Sequence, residues 1–99
     1  MKTKPLKIGN IETALKMAGV LGGLGLWCAI SPLPNNEWQF DLKAEDYERL
    51  VTAARSCGRY RFVSGGGNVF VVLLERGGEY HTTSRVDAEC WAVTHYLLQ

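Results

Sequence analysis

The sequence predicts an α+β fold in which a small antiparallel three-stranded meander carries helices on its faces, in the order α, loop, α-β-β-β-α. Apolar residues recur at helical spacing in three separate segments. Between the second and third of these segments the apolar pattern changes to a period of two, which is typical of strands. Short glycine-rich turns separate the extended stretches, as in an antiparallel meander. We therefore expect a single globular domain over residues 1–99.

The composition excludes two classes of protein. The 99 residues are 46% hydrophobic and 21% charged, and the formal net charge is +1. A domain that holds nucleic acid mainly through its phosphates is normally far more basic, and a protein that imitates DNA with carboxylates would be far more acidic. We therefore expect no tight binding to nucleic acid.

The N-terminal third is predicted to contain a tail, a helix and a loop. Residues 1–9 are expected to be a basic N-terminal tail, because they contain three lysines, a proline and a glycine. Asn10 is a suitable N-cap for a first helix over about 11–20, which the glycines from Gly19 onward should end. An apolar stretch follows, either as buried extended chain or as another helical turn. Residues 31–36 predict a loop.

The second and third helices have clearer signals. Apolar residues from Tyr47 to Cys57 form one stripe at helical spacing, and Gly58 is expected to end that helix. Before it, Trp38 begins an alternation of apolar and polar residues that predicts a short strand. Ser84 is expected to cap the last helix at its N-terminus.

The segment Val69–Leu74 decides the predicted architecture. Its six residues are all apolar, whereas a strand with one face in water should alternate. We therefore expect this strand to be covered on both faces. The last helix would cover one face, and the helix near residues 44–57 would cover the other.

The apolar run Met17–Ile30 follows several lysines and leaves two interpretations open. It is either a buried core segment or a signal or anchor segment. The run has four glycines and no small-x-small cleavage site after it, and it is shorter than the roughly 20 residues that span a bilayer. We therefore expect a cytoplasmic protein without a membrane partner.

Cysteines and histidines are the residues most able to bind a metal or to act in nucleophilic catalysis. The odd number of cysteines and their wide spacing indicate free thiols in a reducing compartment. Two alternatives remain: a zinc site formed by the last two cysteines and both histidines, and a Cys–His catalytic pair. No local sequence motif supports either of them. We expect no catalytic residue, no metal and no other cofactor. The residues concerned are Cys28, Cys57, Cys90, His81 and His95.

The predicted order helix, strand, strand, strand, helix over residues 44–99 resembles a double-stranded-RNA-binding domain. In that family the last helix opens with lysines that contact phosphates. Here the corresponding segment 84–89 reads SRVDAE, with one arginine and two acidic residues. The resemblance implies a weak nucleic-acid-binding module as an alternative function.

A second resemblance rests on residues 79–90, EYHTTSRVDAEC. A short meander followed by a helix that opens in such a turn is similar to the end of the phage ABA-sandwich domains. Trp38 and the helix from about residue 44 lie where that family places its own, so the resemblance covers residues 37–99. It implies a phage or prophage protein. Small anti-CRISPR proteins are similar in size and α/β make-up, and they act by occupying a surface of a CRISPR effector complex.

The expected partner-binding surface combines arginines of the meander with two aromatic residues. Strand alternation places two of the arginines away from the core, and Arg and Tyr are enriched at interface hot spots. We expect a non-enzymatic protein that inhibits a bacterial protein machine by steric occlusion. The most specific form of this expectation is that the machine is a CRISPR effector complex of the host. A homodimer is left open. The predicted partner-binding residues are Arg59, Arg61, Arg76, Tyr80 and Trp38.

Overall fold

The computed structural model of the chain describes residues 1–65, 69–74 and 78–98. For residues 64, 65 and 69–74 it gives the backbone pairing alone. The α+β class predicted from the sequence is confirmed. The elements in the described ranges are β1 (Thr3–Ile8), α1 (Ile11–Gly23), β2 (Cys28–Leu33), β3 (Glu37–Lys43), α2 (Ala44–Ser56), β4 (Tyr60–Gly65), β5 (Val69–Leu74), β6 (Glu79–Thr82) and α3 (Arg85–Leu98).

The chain divides into two compact units, each with one three-stranded antiparallel sheet. The N-terminal unit comprises Met1–Arg49 and Leu97–Gln99, and its sheet has the strand order β1-β3-β2. The C-terminal unit comprises Leu50–Tyr96, and its sheet has the order β4-β5-β6. The expectation of one globular domain over residues 1–99 stays a prediction.

Residues 1–9 do not form the basic tail that the sequence predicts. Most of them belong to β1, which pairs antiparallel with β3 over its whole length. Despite its lysines, the segment has the alternation of a strand: Leu6 and Ile8 are buried, and Lys7 between them is exposed. An exposed ion pair joins Lys4 of this strand to Glu48 of α2.

The loop expected over residues 31–36 is shorter than predicted. β2 continues to Leu33 and pairs with β3, so only residues 34–36 form the turn. Asn35 and Asn36 have φ angles of 64° and 59°, and asparagine adopts this left-handed conformation more readily than most residues. The apolar stretch whose conformation was left open is neither a further helical turn nor buried: its end, from Cys28, belongs to the edge strand β2, and Leu24, Trp27 and Ile30 are exposed.

Helix α1 begins as predicted and ends later than predicted. The N–H of Thr13 donates to Oδ1 of Asn10 at 2.8 Å, so Asn10 is the N-cap. The helix continues past Gly19 to Gly23, and the chain leaves it at Gly25, whose φ is 71°. A glycine ends a helix where the backbone enters the left-handed region, and Gly25 is where that happens.

The core of the N-terminal unit lies between α1 and the sheet. Helix α1 lies against β1 and β3, and it buries one stripe of its surface there. Strand β2, which lies at the edge of the sheet beside β3, contributes less to this core because its residues are exposed or half-buried. The large side chains that are fully buried in this unit are Leu6, Ile8, Met17, Leu21, Phe40 and Leu42.

The C-terminal sheet confirms the predicted meander. Strands β4, β5 and β6 pair antiparallel in sequence order. Gly58, with a φ of 80°, lies in the turn after α2 where the sequence predicts the helix to end. The hydroxyl of Ser84 accepts a hydrogen bond from the N–H of Asp87 at 3.2 Å, so Ser84 caps α3 as predicted.

The described contacts place α2 and α3 on the same face of this sheet. The guanidinium of Arg55 in α2 lies 4.8 Å from the ring centroid of Phe62. Trp91 of α3 contacts the rings of Tyr60 and Tyr80. Strand alternation and the register through β5 put these three strand residues on one face.

The expectation that α3 would cover one face of the sheet and the helix near residues 44–57 the other is therefore wrong for the described contacts, because residues of both helices pack on aromatic side chains of the same face. Whether both faces of β5 are covered concerns side chains that lie outside the described residues.

Candidate partner-binding surface

The described side chains on the face of the C-terminal sheet opposite these helix contacts are exposed. In the strand register, Arg61 and Glu79 lie on either side of position 73 of β5. Val63 and His81 lie on either side of position 71. All four flanking residues are exposed, and Val63 is exposed to 38%. Val63 thus presents an accessible apolar side chain on the same face as Arg61, Glu79 and His81, and protein interfaces combine apolar and polar side chains in this way. We call these four residues the open face.

Of the three predicted arginines, the structure places one on the open face. Arg61 is exposed and forms no ion pair with any residue that the structure describes. Arg59 precedes β4, is half-buried and already has an interaction of its own. Arg76 lies outside the described residues.

Of the two predicted aromatic anchors, Tyr80 shares a sheet with Arg61 and Trp38 belongs to the N-terminal unit. Tyr80 lies on the helix face, stacks on Trp91 with ring centroids 4.9 Å apart, and donates its hydroxyl hydrogen to Oδ2 of Asp87 at 2.6 Å. Trp38 is half-buried in β3 of the N-terminal unit. Because Tyr80 and Arg61 are on opposite faces of one sheet, they do not form the single contact surface expected from the sequence.

Sequence reasoning missed Val63 as part of this surface. The alternation that turns Arg61 outward also turns Val63 outward, since it is two residues further along the same strand. Glu79 and His81 are two residues apart on β6, and their side chains pair with Nε2 and Oε2 2.8 Å apart while both stay exposed. An apolar residue on the predicted solvent side of a strand is therefore the signal that could have identified the open face.

On the helix face, an aromatic cluster attaches α3 to the sheet. The Trp91 ring lies 4.9 Å from Tyr80 and 3.9 Å from His95, and Tyr60 meets it nearly perpendicularly at 6.3 Å. Burial lowers the pKa of His95. The hydrogen bond to Asp87 raises the pKa of Tyr80 to about 12. The rings are packed on one another, so they serve the helix–sheet contact.

The start of α3 carries charges that are already paired. Oε1 of Glu89 lies 3.4 Å from Nε of Arg85 and 3.6 Å from Nη2 of Arg55. Asp87 accepts the hydrogen bond from Tyr80. Phosphate binding needs unpaired positive charge, and the one arginine at this helix start shares its charge with Glu89.

The hydroxyl of Tyr60 is buried without a hydrogen-bond partner among the described residues. The side chain is 5% exposed, and burial raises its pKa. A buried polar group that makes no hydrogen bond costs about 1–3 kcal/mol of stability. This hydroxyl is therefore a source of instability in an otherwise well-packed contact.

We expect Tyr60→Phe to raise the free energy of unfolding by about 1 kcal/mol, because it keeps the ring and removes the unpaired hydroxyl. Tyr80→Phe is the matched control, since it removes a hydroxyl that donates to Asp87. That control should lower stability by about 1–2 kcal/mol. Urea unfolding followed by circular dichroism measures both. Equal losses in the two variants would mean that Tyr60 has a partner in solution.

The cysteines are free thiols. Cys90 is buried, and Cys28 and Cys57 are half-buried. Burial raises the pKa of Cys28, which makes its thiol less reactive. Among the residues that the structure describes, no three His, Cys, Asp or Glu side chains gather into a group that could hold a metal ion.

In the described ranges, no helix has both the length and the apolar character that crossing a membrane requires. Comparison of the chain with protein-family models, with curated proteins and with solved structures finds no match.

Proposed function

We propose that this protein is a non-enzymatic binding protein whose open face contacts a protein partner. The observation that carries the proposal is the exposure of Val63 together with Arg61, on the sheet face opposite the contacts of α2 and α3. A small domain gains no stability from leaving an apolar side chain in water, whereas a partner that covers it gains from the burial.

The charges of the open face define the chemistry of the partner. Arg61 offers a guanidinium, which pairs bidentately with carboxylates and stacks on aromatic rings. The Glu79–His81 pair offers hydrogen-bonding groups at the other edge of the sheet. The partner is a protein surface with a carboxylate or aromatic ring opposite Arg61 and an apolar side chain against Val63.

The contacts of the titratable side chains support binding rather than catalysis. His81 pairs with Glu79 in an exposed position, and His95 packs on Trp91. The thiol of Cys57 donates to a backbone carbonyl of α2 at 3.1 Å. Each of these groups has a contact that belongs to the fold or the surface, and nucleophilic catalysis would instead need a thiol and an imidazole in contact with each other.

The resemblance to phage ABA-sandwich domains and to small anti-CRISPR proteins indicates which partners to test first. We infer a phage or prophage protein that acts in the cytoplasm of the host cell. It inhibits a bacterial protein machine by occupying a surface that the machine needs. The most specific candidate for that machine is a CRISPR effector complex. Inhibition by occlusion requires only a stable contact, which is what the open face offers.

A weak nucleic-acid-binding module is the second candidate. The order α2-β4-β5-β6-α3, with both helices contacting one sheet face, favours it. The charge pattern opposes tight binding, because Arg85 is paired with Glu89 at the start of α3.

The test is binding of the full chain to purified CRISPR effector complexes, measured by biolayer interferometry. We expect Arg61→Glu to weaken binding at least ~10-fold, because reversing a charge at a desolvated contact places like charges together. Lys7→Glu is the matched control, since it makes the same charge change at an exposed strand residue of the N-terminal unit. Circular dichroism should show both variants folded, because an exposed charge contributes little to stability.

Equal binding by the two variants would remove the open face from the proposal. Failure of the unaltered chain to bind any effector complex would remove the inhibitor function. A titration with duplex RNA separates the second candidate: a dissociation constant below roughly 10⁻⁶ M at physiological salt would favour nucleic acid over protein.

A further inference from the structure

Strand β4 lies at an edge of the C-terminal sheet and pairs on one side only in the described part of the chain. The sheet has the order β4-β5-β6, so β5 is the neighbour of β4. Among the residues that the structure describes, no backbone hydrogen bond beyond the β4–β5 pairing involves Tyr60–Gly65. Alternate residues of an antiparallel strand turn their N–H and C=O groups away from the neighbouring strand. The outer side of β4 therefore offers a row of backbone donors and acceptors to another strand.

The other edge strands carry features that prevent such pairing, and β4 does not. Proline cannot donate a backbone hydrogen bond, and lysine or a short length also protects a sheet edge. Strand β1 contains Pro5 and two lysines, β2 contains Pro32, and β6 has four residues. Strand β4 has six residues, YRFVSG, without proline or lysine. Among the four edge strands that the structure describes, β4 is therefore the one left available to another strand.

The side chains along β4 define the strand that fits beside it. A strand added to a sheet places its side chains roughly 4.5–5.5 Å from those directly opposite, on the same face. On the open face these would lie opposite Arg61, which is exposed, and Val63, which is 38% exposed. Between the two, Phe62 is half-buried on the helix face, where the guanidinium of Arg55 lies 4.8 Å from its ring centroid. An acidic side chain next to Arg61 and apolar side chains next to Val63 and Phe62 complement this edge.

The charge of β4 favours a strand from another protein over a second copy of the chain. The strand contains Arg61 and no acidic residue, and none of the ion pairs in the described part of the chain includes this arginine. Two copies of β4 side by side would bring two guanidinium groups to one short edge without a carboxylate for either. Like charges on neighbouring strands are destabilising, whereas an acidic strand meets the complementary charge.

We propose that β4 binds an extended segment of a partner protein, which pairs with its outer edge as an added antiparallel strand. This mode of binding rests on the proposed function, since it specifies how a protein partner lies along the open face. The strand pairs of both sheets are antiparallel, and antiparallel pairing is the more stable per residue. Backbone hydrogen bonds supply affinity in this mode, and alternate side chains supply specificity.

The antiparallel direction fixes the order of residues in the bound segment. Read from its N-terminus, the segment has an apolar residue opposite Val63, then an apolar residue opposite Phe62, then an acidic residue opposite Arg61. The first and third of these lie on the open face, because side chains of a strand alternate between the two faces of a sheet.

The test begins with selection of binders to the full chain from a phage-displayed library of random dodecapeptides. We expect the enriched peptides to share the order apolar, apolar, acidic, without proline inside it. Binding of a synthetic copy is then measured by isothermal titration calorimetry. Arg61→Glu should weaken binding at least ~10-fold, and a peptide with lysine in place of the acidic residue should restore it. Lys7→Glu, at an exposed position of the edge strand β1, is the matched control and should leave binding unchanged.

Methylation of the peptide amides, one at a time, tests the backbone pairing. An N-methyl group removes a hydrogen-bond donor, so it should weaken binding at least ~10-fold at each amide that faces β4. Amides that face away should tolerate the methyl group, and the two classes should alternate along the peptide. A contact made by side chains alone would not produce this alternation.

Three results would overturn the added strand: no enriched peptide, equal binding of the peptides to Arg61→Glu and to the unaltered chain, or tolerance of N-methylation at every amide. If effector complexes nevertheless bind through Arg61, the open face stays the contact surface and only the strand pairing is rejected. Sedimentation velocity provides a further arm. A chain that forms dimers, and loses them on Arg61→Glu, would assign the edge of β4 to a second copy instead.

Discussion

Phe40→Ala is expected to lower the free energy of unfolding by about 3–5 kcal/mol, measured by urea titration with circular dichroism. Phe40 is the largest side chain that is fully buried in the described residues. It lies on the central strand of the N-terminal sheet, in register with Leu6 on one side and Ile30 on the other. Alanine would lose the burial of the ring and leave a cavity that close-packed neighbours fill only in part.

Leu33→Ala is the control for this substitution. Leu33 is half-buried on the opposite face of the same sheet, so its removal leaves no enclosed cavity. We expect this control to cost less than ~1.5 kcal/mol. Similar losses for both variants would mean that the core of the N-terminal unit does not lie between α1 and the sheet.

The parts of the fold that the sequence predicts well have local causes. The ends of the helices are examples: Ser84 caps α3 with its own hydroxyl, and Gly58 takes a left-handed φ just after α2. The meander is also local, since each strand pairs with the next one in the sequence. Such features depend on residues that are close together in the sequence, so the sequence alone is enough to predict them.

The N-terminal sheet could not be predicted in the same way. Strand β1 pairs with β3, and both α1 and β2 lie between them in the sequence. Nothing local to residues 3–8 indicates that pairing. The alternation of Leu6 and Ile8 with lysine is as typical of a basic tail as of an edge strand, and edge strands carry lysine for good reason. The end of α1 was predicted at Gly19 for a related reason. A glycine ends a helix only where its backbone leaves the helical conformation, and the residue type alone does not show this.

The candidate site was predicted in part for a similar reason. Alternation within β4 was enough to turn Arg61 outward. The face of Tyr80 depends on the register carried from β4 through β5 to β6, and the turn lengths that set this register are not fixed by residue type alone. The position of Tyr80 against Trp91 is therefore a property of the assembled sheet.

Trp91→Ala is expected to cost the C-terminal unit about 3 kcal/mol in the free energy of unfolding. The indole contacts the rings of Tyr60, Tyr80 and His95, and each aromatic pair adds about 0.5–1.5 kcal/mol beyond the buried area. All three contacts are lost together, and the hydrogen bond from Tyr80 to Asp87 remains as a described link between the sheet and α3. Urea unfolding followed by circular dichroism measures the loss.

Two variants separate the cluster from the general effect of removing a tryptophan. Trp91→Phe keeps a ring in the cluster, so we expect it to lose about half as much stability as Trp91→Ala. Trp27→Ala removes an indole that is 43% exposed, and at concentrations where the chain is monomeric it should cost less than ~1 kcal/mol. If Trp91→Ala and Trp27→Ala lost the same amount, the aromatic cluster would not be what attaches α3. Because Trp91 contacts the face opposite Arg61, a folded Trp91→Phe should bind partners as the unaltered chain does, and a loss of binding there would place the partner on the helix face instead.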